Sequence, residues 1–165
     1  MARAEVTLAL AIRNLTVDDL PGCGWSGGGL HLDSVAAELD RAALGEVDYV
    51  AVCGPAGVPV AIGGVDFAPF SDAGYLWQLA VHPLLQRCGI GTVLVGGLED
   101  RIRARGLSRA ELRYEQHLEG NRAFYERLGY TPYGTAPDGW DEQLPGGETR
   151  RYETVCVKMR RALPR

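Results

Sequence analysis

Apolar residues fall into short runs along this chain, and their spacing separates strands from helices. Residues 5–15, EVTLALAIRNL, are rich in apolar and β-branched side chains and predict a strand. A proline and a glycine cluster in TVDDLPGCGWSGGGLHLD then break the pattern and predict a flexible loop. Asp33 stands where it caps a helix over SVAAELDRAALG, in which Val35, Leu39 and Ala42 or Ala43 recur at helical spacing and Gly45 supplies a stop. The runs VDYVAVCG (47–54) and VPVAIGGVDFA (58–68), split by PAG, predict a β-hairpin. GYLWQLAVHP (74–83) predicts a further strand closed by Pro83.

Beyond a glycine-rich turn the period changes to helical. Leu94, Leu98 and Ile102, joined by Val95, share one face while Glu99, Asp100, Arg101 and Arg103 lie elsewhere, and Gly106 fits the C-terminal stop, so this helix packs on a sheet. SRAELRYE (108–115) predicts a strand, and RAFYERLG (122–129) a short helix with Asn121 as its N-cap and Gly129 at its end. YTPYGTA and RRYETVCVKMRR predict the last strands, joined by a loop over APDGWDEQLPGGET. With no internal repeat and no linker, residues 1–165 read as a single domain.

Composition narrows the function classes. The net charge of −4, the absence of a basic tract and a single lysine, Lys158, exclude the electrostatic footprint of a nucleic-acid binder. No apolar run approaches the ~18 residues of a membrane span, and no basic N-terminal region leads into an apolar core. The expectation is a soluble, cytoplasmic protein that does not enter membranes. Cys23, Cys53, Cys88 and Cys156 are widely spaced, and His31, His82 and His117 match no ligand spacing, so no metal is expected.

The chemistry concentrates in QRCGIG, residues 86–91, between a strand and a helix. A strand–glycine–helix unit aims backbone N–H groups and the positive end of a helix dipole at one point, which suits phosphate. A plain turn uses the same pattern. A dinucleotide site is disfavoured by the spacing of the third glycine, and a nucleoside-triphosphate loop by the lack of Gly-Lys-Ser/Thr. LAVHPLLQRCGIGTVLV resembles the signature segment of the GNAT acetyltransferase superfamily, with Gln86, Arg87, Cys88, Gly89, Ile90 and Gly91 matching its loop in register. FYERLGY (124–130) resembles a second block of that superfamily, in the matching order and separation.

The resemblance implies an α/β fold whose mixed, mostly antiparallel sheet carries helices on both faces and splays where acetyl-CoA lies. It assigns the diphosphate of this co-substrate to Gln86 and the amides from Arg87 through Cys88, Gly89 and Ile90 to Gly91, with the Thr92 hydroxyl adding a contact. Leu79, Ala80 and Val81 pair with the pantetheine arm, and the Val81 amide polarises the thioester carbonyl. By the residues alone Tyr125 packs with Phe124 and Leu128 on a helix face; the resemblance implies that it is the general acid that protonates the departing thiolate. The superfamily's asparagine position, seven residues before this tyrosine, is Leu118 here, so Asn121 is carried over only as a secondary contact to the arm.

Other departures concern proton removal and the acceptor. Many relatives carry a carboxylate or histidine six or four residues before the motif valine, on the same strand face; those positions here are Tyr75 and Trp77. Ordered water, an acceptor that arrives neutral, or Glu115, His117, His31, Asp33 or Glu38 are the alternatives, while His82 is placed outside the cleft. Asp138, Asp141 and Glu142 around Trp140, with Trp25 and His31, form an acidic, aromatic rim that suits a cationic amine, though acidic loops also serve solubility. The expected function is N-acetylation of a primary amine on a small molecule. Alternatives are a protein N-terminus or lysine as acceptor, a non-catalytic acyl-CoA-binding module, and an interaction domain without cofactor. Homodimers are frequent among proteins of this resemblance, and no segment marks an interface.

Overall fold

A computed structural model describes residues 3–165. Seven strands form one sheet in the order β1-β2-β3-β4-β5-β7-β6. They are β1 (Ala11–Asn14), β2 (Val47–Cys53), β3 (Pro59–Asp66), β4 (Ala73–Val81), β5 (Arg109–Glu115), β6 (Thr131–Gln143) and β7 (Thr149–Ala162). Three helices complete the chain: α1 (Gly29–Ala43), α2 (Ile90–Ala104) and α3 (Glu119–Arg127). Every pairing is antiparallel except β4 with β5, which α2 joins as a crossover. The mixed sheet expected from the sequence is therefore present. Among the described residues no helix is long and apolar enough to cross a membrane.

The alternation along the central strands assigns the two faces. Val50, Val52, Ala61, Val65 and Leu76 pack with Leu94, Val95, Leu98 and Ile102 of α2. Tyr49, Ala51, Cys53 and Ile62 point to the opposite face, where they meet Val35, Leu39 and Ala42 of α1. Leu98 is fully buried at the middle of the α2 face. Leu98→Ala is expected to lower the unfolding free energy by about 2–5 kcal/mol, read as a lower urea midpoint with an unchanged m-value.

Four expectations are corrected. The strand over residues 5–15 is confined to Ala11–Asn14, because its partner β2 ends at Cys53, opposite Ala11, and leaves nothing further for the chain to pair with. The loop before the first helix is ordered as two 3₁₀ turns, Val17–Gly22 and Gly24–Ser26, the first closed by a Thr16/Asp19 capping box and by Arg13, which grips Asp19 at 2.7 Å. The helix that follows starts at Gly29 with Gly28 as N-cap, so Asp33 lies inside it; Leu32 extends the apolar stripe one turn upstream of Val35. The fourth correction is the segment 136–143, which continues β6 instead of forming a loop. Pro137 and Gly139 are tolerated because β6 is an edge strand, and Trp140 stacks on Tyr152 of β7 with ring centroids 5.0 Å apart. Only residues 144–148 turn, through Gly147 at φ +84°.

Candidate active site

The site begins where two parallel strands stop pairing. β4 and β5 are in register from Ala73 opposite Arg109 to Leu76 opposite Leu112. Past that point β4 continues to Val81 and β5 to Glu115 without bonding to each other, which opens a wedge in the sheet. A β-bulge widens it: the β3–β4 register slips between Gly64–Trp77 and Ile62–Ala80, and Gln78 takes φ +54°, a left-handed conformation uncommon outside glycine. The Gln78 side chain fastens the bulge to its surroundings. Its amide donates to Ser34 Oγ of α1 at 2.8 Å, and its carbonyl accepts from the Tyr49 hydroxyl at 3.2 Å.

The bulge also corrects an expectation about faces. Trp77 packs on the α1 side with Ala80, whereas Leu79 and Val81 pack on the α2 side. Tyr75 and Trp77 therefore do not share a face with Val81, since one extra residue inverts the alternation that simple counting assumes. At the strand end, the His82 amide bonds back to Val60 of β3 at 2.8 Å, so the N–H and C=O of Val81 point the other way, into the wedge. The Gln86 side-chain amide reaches that carbonyl at 3.5 Å.

One cleft, of about 740 Å³, runs from this strand end over the glycine loop to α3. Leu79, Ala80, Val81, Gln86, Arg87, Gly89, Gly91, Thr92 and Asn121 line it; Cys88, which is exposed, and Ile90, which is buried in the core, do not. Gly89 is the N-cap of α2 at φ +85°, and Arg87 stands at φ +60°. This path turns the chain so that the first-turn amides of α2, which have no acceptor within the helix, face the cleft opening. A Cβ on Gly91 would lie 3.2 Å from the Phe124 ring, so α2 and α3 approach each other over bare backbone.

A second cleft, of about 940 Å³, lies on the α1 side of the wedge. Its wall includes His31, Tyr75, Trp77, Arg113, Glu115 and Asp138, with Trp140, Asp141 and Glu142 further out along β6. Leu79, Ala80, Asn121 and Tyr125 line both clefts. Tyr125 thus stands at their junction, held by a cluster of rings: Phe124 at 5.1 Å, Tyr130 at 5.9 Å and Tyr114 at 6.3 Å between centroids. Tyr130 is itself fixed by donating to buried Glu99 of α2 at 2.8 Å, a carboxylate that also receives Arg161 of β7 at 2.9 Å. Burial pushes the Tyr125 phenol up to about 12.

The remaining residues named from the sequence separate cleanly. Asn121 is not an N-cap: α3 starts at Glu119, with Leu118 as its cap residue and an acid favoured in the first turn by the helix dipole. Glu115 and His31 line the second cleft, whereas His117, Asp33 and Glu38 line neither, and Glu38 pairs with Arg41 at 2.8 Å. His82 also lies outside both, where its Nδ1 accepts from the Leu84 amide at 3.2 Å. Glu115 accepts from the Tyr152 hydroxyl at 2.7 Å. Ser26 donates to the Cys23 carbonyl at 2.7 Å, so His31 Nε2, 3.1 Å from the same hydroxyl oxygen, must be the donor of that pair. Nδ1 is then the free basic nitrogen, and burial lowers the imidazole pKa, which keeps the ring neutral at neutral pH.

The acidic rim is less negative than its sequence implies. Arg150 pairs with Glu142, and Arg151 stands 3.5 Å from Asp141, both from the facing strand β7. Asp138 bonds the Gly139 amide at 2.8 Å. Two cleft residues are missing from the sequence reading: Gln78, whose backbone conformation has no signature, and Arg113, which alternation with Glu115 along β5 places on the same face.

Comparison with known proteins agrees with this geometry. The family model described as "Acetyltransferase (GNAT) family" matches residues 15–130. A mycothiol acetyltransferase of Beutenbergia cavernae is 39% identical over 64 residues, which span 39% of this chain and 22% of that protein's length. Among solved structures, the ribosomal-protein-S18-alanine N-acetyltransferase of Escherichia coli superposes with a TM-score of 0.69 at 18% identity, covering 95% of this chain and 96% of that one. Ard1 of Thermoplasma volcanium gives 0.72 at 13% identity, covering 95% and 99%. A phosphinothricin acetyltransferase of Sinorhizobium meliloti, solved in complex with AcCoA, gives 0.70 at 15% identity, covering 93% and 88%. At these identities the structural likeness speaks for the fold, and the match over residues 15–130 for the lineage: the chain belongs to the GNAT acetyltransferase family.

Proposed function

We propose that this protein transfers an acetyl group from acetyl-CoA to the primary amine of a small molecule. One observation carries the reading: two clefts on opposite sides of a sheet wedge meet at Leu79, Ala80, Asn121 and Tyr125. The cleft over the glycine loop takes acetyl-CoA, with its diphosphate on the first-turn amides of α2 and its pantetheine arm along the open edge of β4. The thioester then lies at the junction, where the Val81 amide donates to its carbonyl oxygen as negative charge develops. The amine enters from the second cleft.

Attack by the neutral amine forms the C–N bond and places negative charge on the carbonyl oxygen. Collapse of that adduct breaks the C–S bond, and the Tyr125 hydroxyl gives its proton to the leaving thiolate. Glu115 and His31, the two candidate bases lining the acceptor cleft, are placed to take the proton the amine gives up. A non-catalytic acyl-CoA module lacks any need for a phenol at the junction.

The pH dependence follows from the sign of the Tyr125 shift. A general acid works while protonated, and a phenol raised to about 12 holds its proton throughout the working range. The rate is therefore expected to rise as the amine deprotonates and to show no alkaline fall up to about pH 10, measured as kcat with saturating acetyl-CoA. A descending limb below that pH, absent in Tyr125→Phe, contradicts the raised phenol.

A further inference from the structure

We propose that the acceptor carries a carboxylate beside its amine, and that Arg113 holds this carboxylate at the floor of the acceptor cleft, backed by Lys158. The proposal rests on the acetyltransferase reading and names the class of its second substrate: a free amino acid or a compound built like one.

β5 and β7 set Arg113 directly opposite Lys158 in an antiparallel register, so the two side chains share one sheet face. Like charges in such a pair repel, and folded proteins normally neutralise them with a neighbouring carboxylate. Several other cations of this face and its rim are engaged in that way, whereas Arg160, two residues from Lys158 along β7, lies over the Tyr133 ring at 4.8 Å. Arg109 bonds Glu111 at 2.7 Å, Arg150 pairs with Glu142, and Arg151 stands 3.5 Å from Asp141. Among the described residues, no carboxylate forms an ion pair with Arg113 or Lys158. The nearby acids do not pair with them: Glu111 is committed to Arg109 and the Tyr133 hydroxyl, while Glu115 accepts from Tyr152 through Oε1 and Asp138 from the Gly139 amide through Oδ1, each keeping a second carboxylate oxygen. Lys158 is half-buried with its Nζ over the Tyr133 ring at 5.1 Å. Arg113 is exposed into the cleft.

This leaves a cation available to an incoming anion. The glycine loop, where the co-substrate's phosphates are assigned, lines the other cleft, and Arg113 lines only the acceptor side. Along β5, Glu115 follows Arg113 on the same face at a spacing of about 7 Å. The cleft floor is therefore dipolar: a guanidinium sits beside Glu115 and Asp138, which suit an ammonium. An amino acid satisfies both ends. A diamine sets its second cation against Arg113 and Lys158, and a peptide N-terminus offers an amide where the guanidinium calls for a carboxylate.

The test compares free L-amino acids, their carboxamides and 1,4-diaminobutane as acceptors at about pH 8, where the diamine and Lys158 keep their charge, with kcat/KM expressed per neutral amine. A charge-assisted, bidentate contact predicts kcat/KM about ten- to a hundredfold higher for the free acids than for the carboxamides, expressed in KM. Arg113→Gln is expected to raise KM for the free acids by that factor while leaving KM for the carboxamides and for acetyl-CoA unchanged. Lys158→Gln shifts KM the same way by less. Equal use of acids, carboxamides and diamine overturns the proposal, as does an Arg113→Gln variant that still prefers the acids. Calorimetry with N-acetylamino acids and their carboxamides in the presence of coenzyme A separates this from a failure of the catalytic reading. Preference for the acid that Arg113→Gln removes upholds the anion site even if nothing is acetylated, and no preference overturns it.

Discussion

Tyr125→Phe is expected to lower kcat by about 10²- to 10⁴-fold, the usual contribution of a positioned general acid, while acetyl-CoA binds with unchanged affinity. The ring keeps its place in the variant. Its neighbours Tyr114, Phe124 and Tyr130 meet an aromatic face that phenylalanine retains, so thermal unfolding should not move appreciably. What is lost is the proton for the leaving sulfur. A thioester of a more acidic thiol needs that proton less, and should recover part of the rate in the variant but gain little in the parent. This rescue distinguishes chemistry from packing. A kcat within about threefold of the parent, with no dependence on the leaving thiol, removes Tyr125 from the mechanism.

Gly91→Val is expected to abolish measurable acetyl-CoA binding and leave the fold intact. The first Cβ would already stand 3.2 Å from the Phe124 ring and 3.8 Å from the Val81 side chain, and the two methyl groups of valine extend further into the same gap. They cover the backbone that a diphosphate must approach. The helix itself accepts the change, since valine is no poorer a helix former than the glycine it replaces. Far-ultraviolet circular dichroism close to the parent's, together with no heat on titrating acetyl-CoA, is the predicted pair of results. Affinity within about threefold of the parent (under 1 kcal/mol) means that the phosphates do not sit on this loop. Gly91→Ala, which fills only the first of these positions, should fall between the two.

The sequence made the central hairpin and α2 legible because their periods are long and their stops are glycines. Gly45, Gly106 and Gly129 all take positive φ just past the helices they end. Its misreadings have local causes. Pro137 and Gly139 imitate a loop, and only the pairing partner β7 reveals that β6 runs through them. Asp33 imitates an N-cap because a helix that begins in glycines has no capping side chain to announce it. At the site, the loop from Gln86 to Gly91 and Tyr125 were readable from two short blocks. The inverted faces around Trp77 were not, because the bulge at Gln78 arises from strand pairing and a left-handed backbone angle. Charge balance was equally hidden: the acids of residues 138–142 look free in sequence, yet Arg150 and Arg151 come from the strand folded back against them.

In the proposed reaction, acetyl-CoA at the sheet wedge gives its acetyl group to an amine in the adjoining cleft. The most direct measurement incubates the purified protein with acetyl-CoA and a panel of amines, and follows free thiol and acetylated product together by mass spectrometry. One equivalent of an N-acetylated amine is expected for each equivalent of coenzyme A released, with both formed about 10²- to 10⁴-fold more slowly in Tyr125→Phe. Acetyl-CoA that binds tightly but leaves every amine in the panel unmodified contradicts it, and marks the wedge as a binding site without chemistry.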